Sequence, residues 1–184
     1  MSEPTPAQEE NKANKKRDLE VINEVMAQHP GMVSILQRRL DQVKVIMHWW
    51  NKGSVTSAIN ALSMQPNDLA VANDVLNATF AKNQRLDLLN YDNIAAIVPH
   101  ATNLVNSKYE THILCGLRTT LNILKQFGEP MIQIKTMPVG RGVDLAREER
   151  IGKVDVCVEQ LFKFHQSKGF QKAQTRTGEV ENEA

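Results

Sequence analysis

Apolar residues recur along this chain at steps of three and four, the spacing that lines one face of an α-helix. Over 18–28, Leu19, Ile22, Val25 and Met26 share a face, and Asp18 stands where an N-cap is expected. His29-Pro30-Gly31 then predicts a break or kink, because proline lacks the N–H donor and glycine is permissive. From Met32 a second stripe runs through Leu36, Leu40, Val43, Met47 and Trp50. Ile35, Ile46 and Trp49 widen it. Val45 and Trp49 reach toward the side that carries Arg38 and Lys52. A helix buried on one side needs no arc that wide, so this one is expected to touch something on two sides.

Shorter helices follow. Gly53 ends the long helix, and Ser54 is placed to cap a segment in which Val55, Ile59 and Leu62 share a face. Pro66-Asn67-Asp68 restarts the chain, with Leu69, Ala72, Leu76 and Phe80 or Thr79 pointing inward. A single phase joins Ile94, Ile97, Val98, Ala101, Leu104 and Val105 across Pro99, which predicts one kinked helix. Ser107 and Glu110 have the spacing of a capping box. The helix they open carries Leu114, Leu117, Leu121 and Leu124 and is expected to stop at Gly128 and Pro130. Gly116, inside it, suits a close helix crossing. The alternation in "MIQIK" is too short to found a sheet.

The stretch "PVGRGVDLAREER" decides whether a phosphate cradle is present. Such a cradle wants free backbone amides with a nearby Lys, Ser or Thr. Here Asp144 occupies the anion position itself, so a glycine-eased turn into a capped helix is the better reading. That helix runs to about His165, with Ile151, Val154, Val158, Leu161 and His165 on its face. Glu148 and Glu149 sit near its positive end, with Arg147 and Arg150 alternating beside them. These four residues and the cap read as structural. The architecture is therefore all-α, a single compact bundle of about six or seven helices with helical-repeat-like packing. Residues 1–17 and 167–184 are poor in apolar groups and read as mobile tails around a domain at 18–166.

Composition narrows the function. The chain has 184 residues, enough for one domain with a real core, and a net charge of +1. Such a balance gives no global field toward nucleic acid or membrane. Cys115 and Cys157 are too few for a disulfide scaffold and fit a reducing compartment. No apolar run approaches the ~20 residues of a bilayer span, and the polar N-terminus lacks a signal-peptide core. The chain reads as soluble and intracellular.

Catalytic chemistry finds little footing. His112 and Cys115, three residues apart, supply half a metal site at most, and no CxxC or HExxH offers the other half. Cys157 lies among valines and reads as core. Glu148 and Glu149 point about 100° apart and do not converge. Neither an enzyme nor a cofactor or metal site is expected.

Binding features are stronger. Arg38, Arg39, Lys44 and Lys52 face a single acid, Asp41, within 31–65; Lys163, Lys168, Lys172 and Arg176 cluster within 163–176 without one. Either patch suits an acidic polymer. Trp49 and Trp50 are adjacent, so they diverge by about 100° and cannot share one core face. One of them is free for an inter-helix seam or a partner, where tryptophan is enriched.

Four blocks carry a family resemblance: "QRRLDQVKVIMHWWNKGSVTSAI", "NDLAVANDVLN", "LDLLNYDNIAAIVPHATNLVNSKYETHI" and "GVDLAREER". Over about His29 to Phe162 the chain resembles the conserved C-terminal domain of the regulatory (eighty-kilodalton) subunit of katanin, the microtubule-severing ATPase. The resemblance implies an all-α domain without catalysis of its own. It implies pairing with the N-terminal helical domain of the catalytic AAA ATPase subunit and help in binding microtubules, at the cytoskeleton of cilium, axoneme, basal body or spindle. Carried onto this chain, Val45, Trp49 and Trp50 are expected at the seam with the catalytic subunit. Arg38, Arg39, Lys44, Lys52, Lys163, Lys168 and Lys172 are expected to face tubulin. The family's subunit carries a β-propeller ahead of this domain, which nothing here could form. Its members are more continuously helical where His29-Pro30-Gly31 stands. Met1 followed by a polar stretch favours a short natural relative over an excised piece, and such a relative could be a structural axonemal or spindle protein without severing.

Overall fold

The computed structural model describes residues 6–63, 68–82, 85–137 and 144–174, with side chains from Lys15 onward. Seven α-helices lie among them: α1 (Pro6–Asn51), α2 (Val55–Leu62), α3 (Leu69–Leu76), α4 (Tyr91–Val105), α5 (Glu110–Thr136), α6 (Leu145–His165) and α7 (Lys168–Ala173). A π-turn at Asn77–Ala81 and a 3-10 turn at Leu86–Leu88 join α3 to α4, and no strand occurs among the described residues. The chain divides into two units, Met1–Asp41 and Gln42–Ala184, so α1 runs from the first into the second.

The first unit is the simpler. Its described side chains are exposed except for the half-buried Arg39. The expected break at His29-Pro30-Gly31 does not occur: α1 is helical through Pro30. One proline deletes one N–H from the ladder, and the freed carbonyl lies on an exposed helix where water can reach it. Asp18 is consequently no N-cap, because the helix begins at Pro6, and residues 6–17, read as tail, belong to it.

The second unit holds the core. α4 is its hub and packs against α2, α3, α5, α6 and α7. Next-but-one contacts, α2 with α4, α3 with α5 and α4 with α6, are the layering of a helical-repeat stack. The predicted phase of α4 holds throughout, with Ile94, Ile97, Val98, Ala101, Leu104 and Val105 all buried. Gly116 marks the α4–α5 crossing: a Cβ there would stand 2.7 Å from the Ala101 carbonyl oxygen and 2.7 Å from Val105 Cγ2. Cys157 is fully buried and its Sγ donates to the Tyr91 carbonyl at 3.1 Å.

Polar side chains close the irregular joints. Asn90 caps α4 by accepting from Asn93 N at 2.8 Å. Buried Asn93 donates to the Leu88 carbonyl at 2.8 Å and accepts from the Thr56 hydroxyl, tying α2 to α4. Asn122 Nδ2 donates to the Phe80 and Ala81 carbonyls at 2.8 and 3.1 Å, satisfying the end of the π-turn. Gln42 Nε2 donates to the Leu62 carbonyl at 3.3 Å and ties α1 to the end of α2. Gly53 ends α1 at φ +75°, as its sequence position predicts.

Other joints differ from expectation. Ser54 is the N-cap residue of α2 but bonds Ser57 Oγ at 2.8 Å rather than a backbone amide. The Ser107–Glu110 capping box does not form. Tyr109 is the N-cap residue, so Glu110 falls two positions too early. The Ser107 hydroxyl instead accepts from Tyr109 N at 3.3 Å and pairs with His112 Nδ1 at 3.1 Å. α5 passes through Gly128 and Pro130 to Thr136 and absorbs "MIQIK". Buried Met131 and half-buried Phe127 and Ile134 pack that last stretch on the core, which offsets the lost hydrogen bond. Past His165 the chain turns at buried Ser167 into α7, so residues 168–173 are helical where a tail is expected.

Candidate interaction surfaces

The last turns of α1 present two apolar flanks. Ile46 and Gln42 face the bundle and are buried. Helical geometry then puts Val45 and Trp49 on one flank and Val43, Met47 and Trp50 on the other. Val43, Val45 and Met47 are exposed, and both indoles are half-buried against the core. Neither tryptophan is enclosed by the chain's own packing. Lys52 Nζ stands 5.3 Å over the Trp49 ring, His48 meets that ring edge-on at 5.5 Å, and Arg85 Cζ stands 5.8 Å over Trp50. Such cation–π contacts stabilise by about 0.5–1 kcal/mol at exposed sites. Lys52 is thus drawn to an indole face, and Arg85 is a participant that sequence reading missed.

The basic residues are distributed unevenly. Arg38 and Arg39 belong to the first unit, Lys44 and Lys52 to the second. Lys163 pairs with Glu159 one turn earlier at 2.7 Å. Lys168 and Lys172 ride on α7 and rim a depression of about 550 Å3 together with Lys108, Asn106 and Ser107. Lys108, absent from the sequence candidates, joins them because Gly169 lets α7 settle on the end of α4. The Gly169 amide donates to Asn106 Oδ1 at 2.7 Å.

A second, apolar cleft of about 390 Å3 opens between α5, α6 and α7, lined by Leu124, Val158, Leu161, Phe162, His165 and Phe170. Phe162 is 60% exposed at its edge. Its sequence signal was the density of large apolar residues at the end of α6, which the helical phase alone assigns to one face.

The segment that opens α6 makes local contacts. Asp144 Oδ1 accepts from Arg147 N at 3.0 Å and caps α6, and the Arg147 guanidinium donates to the Met137 carbonyl. Glu149 and Asp92 both bind Lys153, at 3.2 and 3.1 Å, which links α6 to α4 and raises the lysine's pKa through those hydrogen bonds. Glu148 lies in the first turn, and Arg150 is exposed beside it. Residues 138–143 of "PVGRGVDLAREER" lie outside the described residues. Burial pushes both thiols, Cys115 and Cys157, up to about 11, so neither is poised as a nucleophile. Among the described residues no three His, Cys, Asp or Glu side chains gather to hold a metal, and no helix is long and apolar enough to cross a membrane.

Residues 27–184 match the family model of the con80 domain of katanin. The chain belongs to the katanin con80 family. It is 29% identical over 144 residues to the katanin p80 WD40 repeat-containing subunit B1 of Xenopus tropicalis, covering 78% of this chain and 21% of that protein. The Danio rerio subunit B1 is 32% identical over 151 residues, 82% of this chain and 21% of its own. An Arabidopsis thaliana homolog of the subunit is 23% identical over 145 residues, 79% and 17% respectively. This con80 chain therefore spans about a fifth of the length of the curated relatives it matches. The family match takes in the indole flanks, the apolar cleft and the lysine-rimmed depression. It begins at Ala27, inside α1, and leaves the preceding turns of that helix outside.

Proposed function

We propose that this con80 chain is a non-catalytic regulatory or targeting subunit that binds the N-terminal helical domain of a katanin-type AAA ATPase and helps dock it on microtubules. The observation that carries the reading is the pair of apolar flanks at the end of α1, where Val45 and Met47 are exposed beside two half-buried indoles within a katanin con80 domain. Apolar strips of this kind on a folded helix mark protein interfaces. Size exclusion with the catalytic subunit's N-terminal domain should give a one-to-one complex. Val45→Asp with Trp49→Ala should weaken it at least tenfold, and an unshifted elution of the parent chain refutes the reading.

The microtubule contact is assigned to Lys168 and Lys172 with Lys108, and to Arg38, Arg39 and Lys44. Tubulin offers an acidic surface, and exposed lysines attract it over a Debye length. Lys168→Glu with Lys172→Glu should cut microtubule co-sedimentation several-fold at 50 mM salt. A second reading, a structural microtubule protein that never meets an ATPase, is favoured by the lysine-rimmed depression alone. It predicts full co-sedimentation without any catalytic subunit in the bound fraction from its own cells.

A further inference from the structure

Lysines from two distant stretches meet at one depression. Lys108 stands just before α5, and Lys168 and Lys172 lie one turn apart on α7. Together they rim the hollow of about 550 Å3 that Val105, Ser107 and Ile113 also line. Among the described residues no acid lines it. Glu110, the acid nearest in sequence to Lys108, lies in the first turn of α5 outside the lining. Neither Lys168 nor Lys172 has an acid three or four positions away, where a helix places its ion-pair partners.

The chain itself carries the complement. Residues 175–184 follow α7 and lie outside the described residues; their charged members are Arg176, Glu179, Glu181 and Glu183. Arg176 falls on the basic side of this stretch, and 178–183 holds the three acids and no base. The spacing suits the rim. An extended segment turns residues two apart to one side at about 7 Å, and side chains one helical turn apart, as Lys168 and Lys172 are, stand about 6 Å apart. Glu179 and Glu181 can so meet that pair, and Glu183 remains for Lys108. Reach is not limiting. Glu179 follows Gln174 by five residues, about 17 Å of extended chain, whereas all of α7 rises about 9 Å. One exposed ion pair contributes little, but a tether this short gives an effective concentration in the millimolar range, so several weak pairs make a populated contact.

We propose that residues 178–183 of this chain dock on the lysine-rimmed depression, where they compete with an acidic partner for Lys108, Lys168 and Lys172. The docking stands on the depression and the sequence; that it restrains microtubule binding rests on the reading above that these lysines face tubulin.

Carbodiimide coupling of the full chain, which joins contacting lysines and carboxylates directly, tests it. In the monomeric product at 20 mM salt, mass spectrometry of the digest should find amide bonds from Glu179, Glu181 or Glu183 to Lys108 as well as to Lys168 and Lys172. Lys108 is the deciding site, because it lies far from these glutamates in sequence. The pairs Lys153 with Asp92 and Lys163 with Glu159 are the positive controls for coupling. At 500 mM salt the links to Lys108 should fall at least threefold. In the chain carrying Glu179→Gln, Glu181→Gln and Glu183→Gln, acetylation of Lys108 and Lys168 at pH 8 should quicken at least threefold, because an ion pair holds the lysine proton; Lys163 should not change. Links spread evenly over other surface lysines, links to Lys108 only in a cross-linked dimer, or unchanged acetylation overturn the proposal. The same triple variant should co-sediment with microtubules at least threefold more tightly at 50 mM salt. Links to Lys108 with unchanged co-sedimentation count against the assignment of these lysines to tubulin and leave the docked segment standing.

Discussion

Replacing Gly169 by alanine tests how the short last helix is held. A Cβ at this position would stand 2.2 Å from the Val105 carbonyl oxygen, 2.5 Å from its carbon and 2.7 Å from Asn106 N. All three are backbone atoms, so no rotamer change relieves the clash. A carbon–oxygen contact needs about 3.3 Å, so α7 must retreat by roughly 1 Å. Overpacking of this kind costs about 1–3 kcal/mol. The loss is capped by what α7 contributes when seated. Half-buried Phe170 supplies about 1 kcal/mol, and the hydrogen bond from Gly169 to Asn106 supplies about 1 more. Alanine returns up to about 1 kcal/mol of helix propensity. The net expectation is a destabilisation of about 1–2 kcal/mol, or a Tm lower by about 2–8 °C for a chain of this size. Gly152→Ala is the matched control, because nothing lies within 4 Å of a Cβ built there; it should stabilise by up to about 1 kcal/mol. Urea unfolding gives both values, and amide exchange over 168–173 should accelerate in Gly169→Ala alone. If both variants stabilise and exchange is unchanged, α7 does not rest on the end of α4 as described. Since Lys168 and Lys172 ride on α7, the same substitution should weaken microtubule co-sedimentation if those lysines make the contact.

Titration supplies two further expectations. Burial lowers the pKa of His100, whose Nε2 lies 3.3 Å from Ser63 Oγ. The unfolded chain then takes up a proton near pH 6.5 that the folded chain resists, so stability falls as pH drops through 6.5. His100→Gln should flatten urea midpoints measured between pH 7.5 and 5.5. Cys115 and Cys157 are raised from 9.0 to about 11, so the folded state retains protons that the unfolded state releases. Their contribution is complete below pH 9 and is lost between about pH 9 and 11. At pH 7.5 a thiol reagent should label neither until denaturant is added, and fast labelling would refute their burial. Asp144→Ala removes the cap of α6 and should cost about 1 kcal/mol in urea unfolding.

The helical class was legible because periodicity is a property of burial, and α4 is buried on a face that its sequence spells out across Pro99. Breaker residues were less legible, and for one reason. Pro30, Gly128 and Pro130 each weaken a helix locally, but whether the helix ends depends on what lies beside it. Met131 and Phe127 hold α5 past its glycine and proline, and that information resides in the core, not in the neighbours along the chain. Caps show the same limit. Asp144 keeps its predicted role because a carboxylate at the first turn has one natural donor, whereas Ser107 had two competitors, Tyr109 N and His112, and the helix start moved. Lys108 escaped the basic cluster because it lies far in sequence from Lys168 and Lys172; only the seat under Gly169 brings them together.

Val45, Trp49 and Trp50 were legible as a surplus of apolar surface, and the reason reaches beyond this helix. A bundle with one hub, α4, can cover only the side of each outer helix that faces it. Within the second unit, α1 turns Gln42 and Ile46 to the bundle and leaves its flanks covered only in part. Ile46 is buried, Trp49 and Trp50 are half-buried, and Val43 and Leu40 are exposed. Charged residues alone would satisfy a helix that merely projects into water. Exposed apolar positions that persist from Leu19 to Leu40 are therefore what a helix built only to meet water would lack.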